Sequence, residues 1–170
     1  MQLAIIADTH LATPGSWLPS LCVERIAAAD LALHAGDVST PEALARLEQI
    51  GTPLLAVRGN VDTPEICASL PEWRLVEVGG TCIGMLHDAG PARGRLERLR
   101  RRFPDAQAVV FGHSHLPLHE RRGGFQIFNP GSPTQRRRAP SRTMGLASVR
   151  RGTVSFEILS LDSVVKPPAD

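Results

Sequence analysis

Short, unbroken apolar runs alternate with stretches of helical period through the first two-thirds of the chain. Leu3 to Ala7, Leu31 to Leu33, Leu54 to Val57 and Ala108 to Phe111 are apolar at every position and end on polar or glycine residues. A strand with one wet face alternates, so runs without alternation predict strands covered on both faces. Between the second and third runs the pattern predicts a helix. Ser39 or Thr40 can cap it, Pro41 sits in its first turn, Leu44, Leu47 and Ile50 share one face, and Gly51 ends it. A second helix is predicted over Pro91 to Arg102, with Leu96, Leu99 and Phe103 as its apolar stripe. Its arginines crowd the last turn, where positive charge suits the helix dipole, and read as a solvated face. Two hairpins follow from turn signals. Arg74 to Val78 and Thr81 to Leu86 flank Gly79-Gly80, and Thr143 to Arg150 and Thr153 to Leu159 flank Arg151-Gly152. No repeat or interdomain linker interrupts the pattern. The expectation is one α/β domain over residues 1–162 with some antiparallel strands, and a frayed tail at 163–170.

The chain has 170 residues and is 42% hydrophobic, enough for one full-sized core. No apolar run approaches the roughly 20 residues that span a bilayer. The stretch from Met1 to Asp8 is too short for a secretory signal core, so a cytoplasmic location is expected. Cys22, Cys67 and Cys82 are widely spaced, form no CxxC pair, and read as reduced, partly buried thiols. Net charge is +2, and Lys166 is the only lysine. Arginines cluster in 93–102, in Arg121-Arg122 and in Arg136 to Arg138, but acidic residues elsewhere nearly balance them. Aromatics are 4% and tyrosine is absent, which argues against dedicated nucleic-acid binding. A small phosphate-bearing substrate stays compatible, as does a homo-oligomer.

The chemistry lies just past the strand ends. Asp8 and His10 follow the first predicted strand, Gly36-Asp37 the second, Gly59-Asn60 the third, His87 the strand from Thr81, and His113 and His115 the strand from Ala108. Open α/β sheets place ligands at that edge, because loops from separate strands converge there. Carboxylate, imidazole and amide oxygen together suit ions such as manganese, iron or zinc rather than an all-oxygen calcium cage. In Asp8-Thr9-His10 and His113-Ser114-His115, residues two apart on an extended backbone would point the same way. Gly36, Gly59 and Gly112 would let the chain turn sharply before each donor. Seven donors exceed what one such ion takes from protein, so two cations sharing a carboxylate is the economical reading.

The ordered set Asp8-Thr9-His10, Gly36-Asp37-Val38, Gly59-Asn60-Val61-Asp62, His87, Gly112-His113-Ser114-His115 and Asn129-Pro130-Gly131-Ser132 resembles the calcineurin-like metallophosphoesterase superfamily. Within it, the chain is similar to the small phosphodiesterase family of bacteria and archaea that includes the eukaryotic retromer subunit. The resemblance implies a four-layer α/β/β/α sandwich, two facing mixed sheets flanked by helices. It implies two divalent metal ions, manganese first, with iron, zinc, nickel or magnesium as alternatives. One would take Asp8, His10, Asp37 and His115; the other Asp37, Asn60, His87 and His113, with Asp37 as the bridge. Asp37, Asn60, His87 and His113 are the residues it marks for catalysis. Many relatives carry a histidine after the asparagine that protonates the leaving group; Val61 stands there, and the general acid is unassigned.

Two such cations lower the pKa of a shared water until hydroxide forms near neutral pH, which expects hydrolysis of a small phosphodiester. The alternatives are phosphomonoester hydrolysis and a protein-binding scaffold without turnover, and the intact donor set argues against the scaffold. His34 reads as a packed residue behind the site and His119 as a strand residue. Asp88 reads as a plain loop aspartate, Arg136 to Arg138 as a solvated loop, and Trp17 and Trp73 as packing residues.

Overall fold

Leu3, Ile5 and Ala7 point to one side of the first strand and Ala4 and Ile6 to the other, and both sides are buried. That is why the run does not alternate. The computed structural model describes residues 1–13 and 15–162; the tail expected to fray lies outside the described residues. Its elements run β1 (Gln2–Ile6), α1 (Ser20–Ala27), β2 (Leu31–Ala35), α2 (Pro41–Glu48), β3 (Leu54–Val57), α3 (Pro64–Ser69) and β4 (Trp73–Val78). They continue with β5 (Thr81–Leu86), α4 (Arg95–Arg102), β6 (Ala108–Val110), β7 (Leu118–Arg122), β8 (Phe125–Asn129), β9 (Thr143–Arg150) and β10 (Thr153–Ser160).

Two five-stranded sheets form, in the orders β10-β9-β1-β2-β3 and β4-β5-β6-β8-β7. Each has three parallel strands, β1-β2-β3 along one side of the first sheet and β5-β6-β8 in the middle of the second, with antiparallel strands beside them. Three apolar layers account for the packing. Leu3, Ile5, Leu33 and Val57 of the first sheet meet Val76, Ile83, Met85 and Phe128 of the second. Cys22, Ile26, Ala43 and Leu47 of α1 and α2 cover the outer face of the first sheet. Leu96, Leu99 and Phe103, on and just past α4, cover the outer face of the second. The result is the expected four-layer α/β/β/α sandwich.

Thr40 is the cap of α2; its hydroxyl accepts the Ala43 N–H at 3.3 Å, a contact worth about 1 kcal/mol. The expected second helix is shorter than the pattern indicated. Gly94 takes φ 68° and starts α4 at Arg95, so residues 91–94 stay outside it. Arg95 and Arg98 turn back to the carbonyls of Gly90, Ala89 and Pro91, which corrects the reading of this run as a purely solvated face. Both expected hairpins form, with Gly79-Gly80 at positive φ in the first. Among the described residues, no helix is long and apolar enough to cross a membrane. The three cysteines are free thiols, Cys22 and Cys82 buried.

Candidate metal centre

The parallel strands of both sheets end at one edge, and the structure brings all seven donors together there. His10 Nε2 lies 3.1 Å from His115 Nε2, with the rings stacked at 5.0 Å. His115 Nε2 is 3.4 Å from Asp8 Oδ1. A single oxygen, Asp37 Oδ2, faces both halves of the cluster, 3.6 Å from His10 Nε2 and 3.3 Å from His87 Nε2. Asn60 Oδ1 lies 3.1 Å from His87 Nε2 and 2.8 Å from His113 Nδ1. Asp8, Asp37, His87 and His115 are buried and form the floor; Asn60, Val61 and His113 are exposed and form the mouth.

The backbone reaches this arrangement in a different way from the one the sequence indicated. Asp8, His10, Asp37, His113 and His115 all have positive φ, between 45° and 70°. Each two-residue pair is therefore aimed by left-handed kinks, not by strand alternation. Such conformations are costly for residues with a Cβ and gather where function requires them. The glycines serve mainly to make room. Gly36 has φ 90°, and a Cβ there would lie 2.6 Å from His87 Nδ1. Gly59 and Gly112 have no positive φ; a Cβ on the first would collide with Asp37, and on the second would meet Ala7 and Asp8.

A ring of partners holds the donors. His87 Nδ1 donates to Ala35 O at 2.8 Å and His115 Nδ1 to Gln135 O at 2.6 Å. In the neutral rings this leaves Nε2 as a lone pair aimed into the cluster. The N–H of His113 donates to Asp8 Oδ1, and that of Val61 to Asp37 Oδ1. Ser132 Oγ donates to Asp8 O, and Asn129 Nδ2 to Gly112 O, so 129–132 braces two donor loops.

Asp62, whose role the sequence reading left unassigned, accepts the N–H groups of Ser39 at 2.7 Å and Gly59 at 2.6 Å. It clamps the Asp37 loop to the Asn60 loop. Its signal was its place two residues after Asn60. Asp62→Ala is expected to weaken metal affinity about 10- to 100-fold while the protein stays folded, as a metal titration of the purified variant would show. Affinity equal to that of the parent would contradict the clamp.

Electrostatics sort the donors. Burial pushes the Asp8 carboxyl up to about 7, against the pull of His87. Burial opposes ionisation of Asp37 as well, but the hydrogen bond and charge of His87 hold it down to about 2. Burial lowers His115 to about 4 and lowers His10 too. Burial opposes charge on His87 likewise, yet its hydrogen bond to Asp37 raises it. Asp8 Oδ2 is buried and has no hydrogen-bond partner among the described residues. The His115 Nε2 lone pair faces Asp8 Oδ1, beside a carboxylate oxygen with no partner, an arrangement that suits a divalent cation.

A model of the calcineurin-like phosphoesterase superfamily domain matches residues 1–152. The chain belongs to this superfamily. This calcineurin-like phosphoesterase is 32% identical over 136 residues to a probable metallophosphoesterase of Methanothermobacter thermautotrophicus, covering 79% of this chain and 78% of the relative. It is 26% identical over 149 residues to a phosphodiesterase of Escherichia coli, covering 78% and 79%. Its fold matches that of vacuolar protein sorting 29 from Cryptosporidium parvum at a TM-score of 0.74 and 24% identity, covering 94% and 97%.

The remaining marked residues of the phosphoesterase fall beside the cluster. His34 is buried behind it, Nε2 2.9 Å from Thr9 Oγ1, and burial lowers its ring to about 3. Asp88 Oδ1 accepts the Gly90 N–H, a loop contact. His119 stands on β7, 3.0 Å from Gln126 Oε1. Arg136 folds onto the carbonyls of Ala139 and Pro140. Arg137 takes φ 46°; its charge helps to lower His10 and His115, and at Asp8 it works against the larger upward push of burial. Trp17 packs under Arg46 at 4.1 Å, but Trp73 is half exposed with its edge against Phe103.

Proposed function

We propose that the chain is a phosphodiesterase whose seven donors hold two divalent cations, manganese by preference. The observation that carries this reading is the placement of Asp37 Oδ2 within 3.6 Å of ring nitrogens on both halves of the cluster. Asp8, His10, Asp37 and His115 would hold one cation, and Asp37, Asn60, His87 and His113 the other. When bound, the pair supplies Lewis-acid polarisation of the phosphoryl group and hydroxide at neutral pH.

The protein's own groups do the rest. Ala35 and Gln135 carbonyls fix the rings of His87 and His115 so that only Nε2 faces the cleft. The Asn60 amide and the His113 ring, at the open mouth, are placed to hydrogen-bond phosphoryl oxygens. Val61 is exposed and has no ionisable proton, so the acid role falls to water or is met by a substrate with a good leaving group. Two cavities favour a diester, which has two substituents. One of about 360 Å³ touches His10, and one of about 270 Å³ touches Asn60 and His87. The phosphodiesterase relative from Escherichia coli supports the same choice. The complete donor set favours turnover over a scaffold role.

Chelator is expected to abolish hydrolysis of an aryl phosphodiester, and manganese to restore it. The same loaded sample should turn over the diester faster than the matching monoester. A higher initial rate on the monoester would overturn the diesterase assignment.

A further inference from the structure

The cavity beside Asn60 and His87 has charged walls that the donor cluster does not use. Arg58 comes from the loop after β3, Glu72 stands just before β4, and Arg102 closes the last turn of α4. Leu86 gives an apolar wall, and Asp88 at the rim has Oδ1 engaged by its own loop. Arg58 Nη2 is 3.3 Å from Glu72 Oε2, and Arg102 Nη2 is 3.5 Å from Glu72 Oε1. Two guanidinium groups therefore share one carboxylate.

That carboxylate is 63% exposed, and ion pairs so open to water are worth about 0–1 kcal/mol. An incoming anion exchanges with Glu72 at little cost. Planar guanidinium groups grip carboxylate or phosphate in a bidentate fork, a stronger contact than the pair it replaces. The position of Arg58 is set by the backbone, since its N–H donates to Pro71 O at 2.9 Å and Gly59-Asn60 follows directly. A substrate whose phosphorus lies over Asn60 thus has one arm directed at these two arginines.

We propose that this cavity is a subsite for a second acidic group, carboxylate or phosphate, on one arm of the phosphodiester, recognised by Arg58 and Arg102. The inference rests on the phosphodiesterase reading above. The substrate class becomes a diester with an acidic arm, rather than one with two neutral arms.

The test uses two p-nitrophenyl phosphodiesters with the same leaving group, one carrying an ethyl arm and the other a 2-carboxyethyl arm. The manganese-loaded protein is expected to show a KM about 10-fold lower for the acidic ester, the size of one charge-assisted hydrogen bond. The double variant Arg58→Gln with Arg102→Gln should bring the ratio close to one, with metal content measured on each sample. Glu72→Gln, which frees both guanidinium groups, should widen the preference, and it decides the matter if the double variant does not fold. Equal KM values in the parent, or an unchanged ratio in Glu72→Gln, would overturn the subsite alone. Failure to hydrolyse either ester at full metal load would overturn the phosphodiesterase reading and the subsite with it.

Discussion

Asp37→Asn is expected to lower turnover of an aryl phosphodiester at least about 100-fold and to strip most bound metal from the purified protein. The change is chemical rather than steric. The asparagine oxygen can still accept the Val61 N–H, now received by Oδ1 at 3.0 Å. Only the anionic Oδ2, the atom that faces His10 and His87 together, becomes an amide NH2. The fold should persist, so near-unchanged circular dichroism alongside lost activity is the signature. Full activity with full metal content would contradict a bridging role for this carboxylate.

Asp8→Asn is expected to act in opposite directions on stability with and without cations. Burial raises the Asp8 carboxyl from 3.8 to about 7 in the folded chain. A raised folded pKa means that the contribution to stability is fully present below pH 3.8 and is lost as pH rises through about 7. At pH 8 the buried carboxylate therefore destabilises the chelated protein, by up to about 4 kcal/mol. The asparagine variant carries no such charge. In chelator at pH 8 it should melt higher than the parent, by roughly 10 °C for a chain of this size, and the gap should close toward pH 4. Manganese should raise the melting temperature of the parent and do little for the variant. Thermal melts at the two pH values decide it, and a lower melting temperature for the variant at pH 8 in chelator would contradict the account. Stability given up at a binding site is the expected trade.

The fold was legible where burial on two faces erased alternation, as in Leu3 to Ala7. It was also legible where glycine pairs marked turns, as at Gly79-Gly80. It was not legible where a start signal or a core stripe is missing. The eight residues of α1 bury only Cys22 and Ile26 and start after Pro19 with no side-chain cap. The six of α3 bury only Ile66. In β8, Gln126 and Asn129 break the apolar run although all five residues are buried, and their amides are satisfied by Val154 O and Gly112 O.

The donors themselves were legible because each follows a recognisable strand. Their aim was not. Nothing in Asp8-Thr9-His10 distinguishes an extended pair from one kinked to φ 55° and 45°, since that conformation is imposed by contacts from elsewhere. Asp8 N–H donates to Gly36 O and His10 N–H to Asp37 O, across 28 and 27 residues of sequence. The same holds for Asp62, whose two acceptor contacts join loops from neighbouring strands.

Anomalous diffraction at the manganese edge, from a crystal of the manganese-loaded protein, addresses the central claim most directly. The account predicts two peaks about 3.5–4 Å apart, both within bonding distance of Asp37 and each completed by its own histidines. A single peak, or peaks away from these side chains, would contradict it.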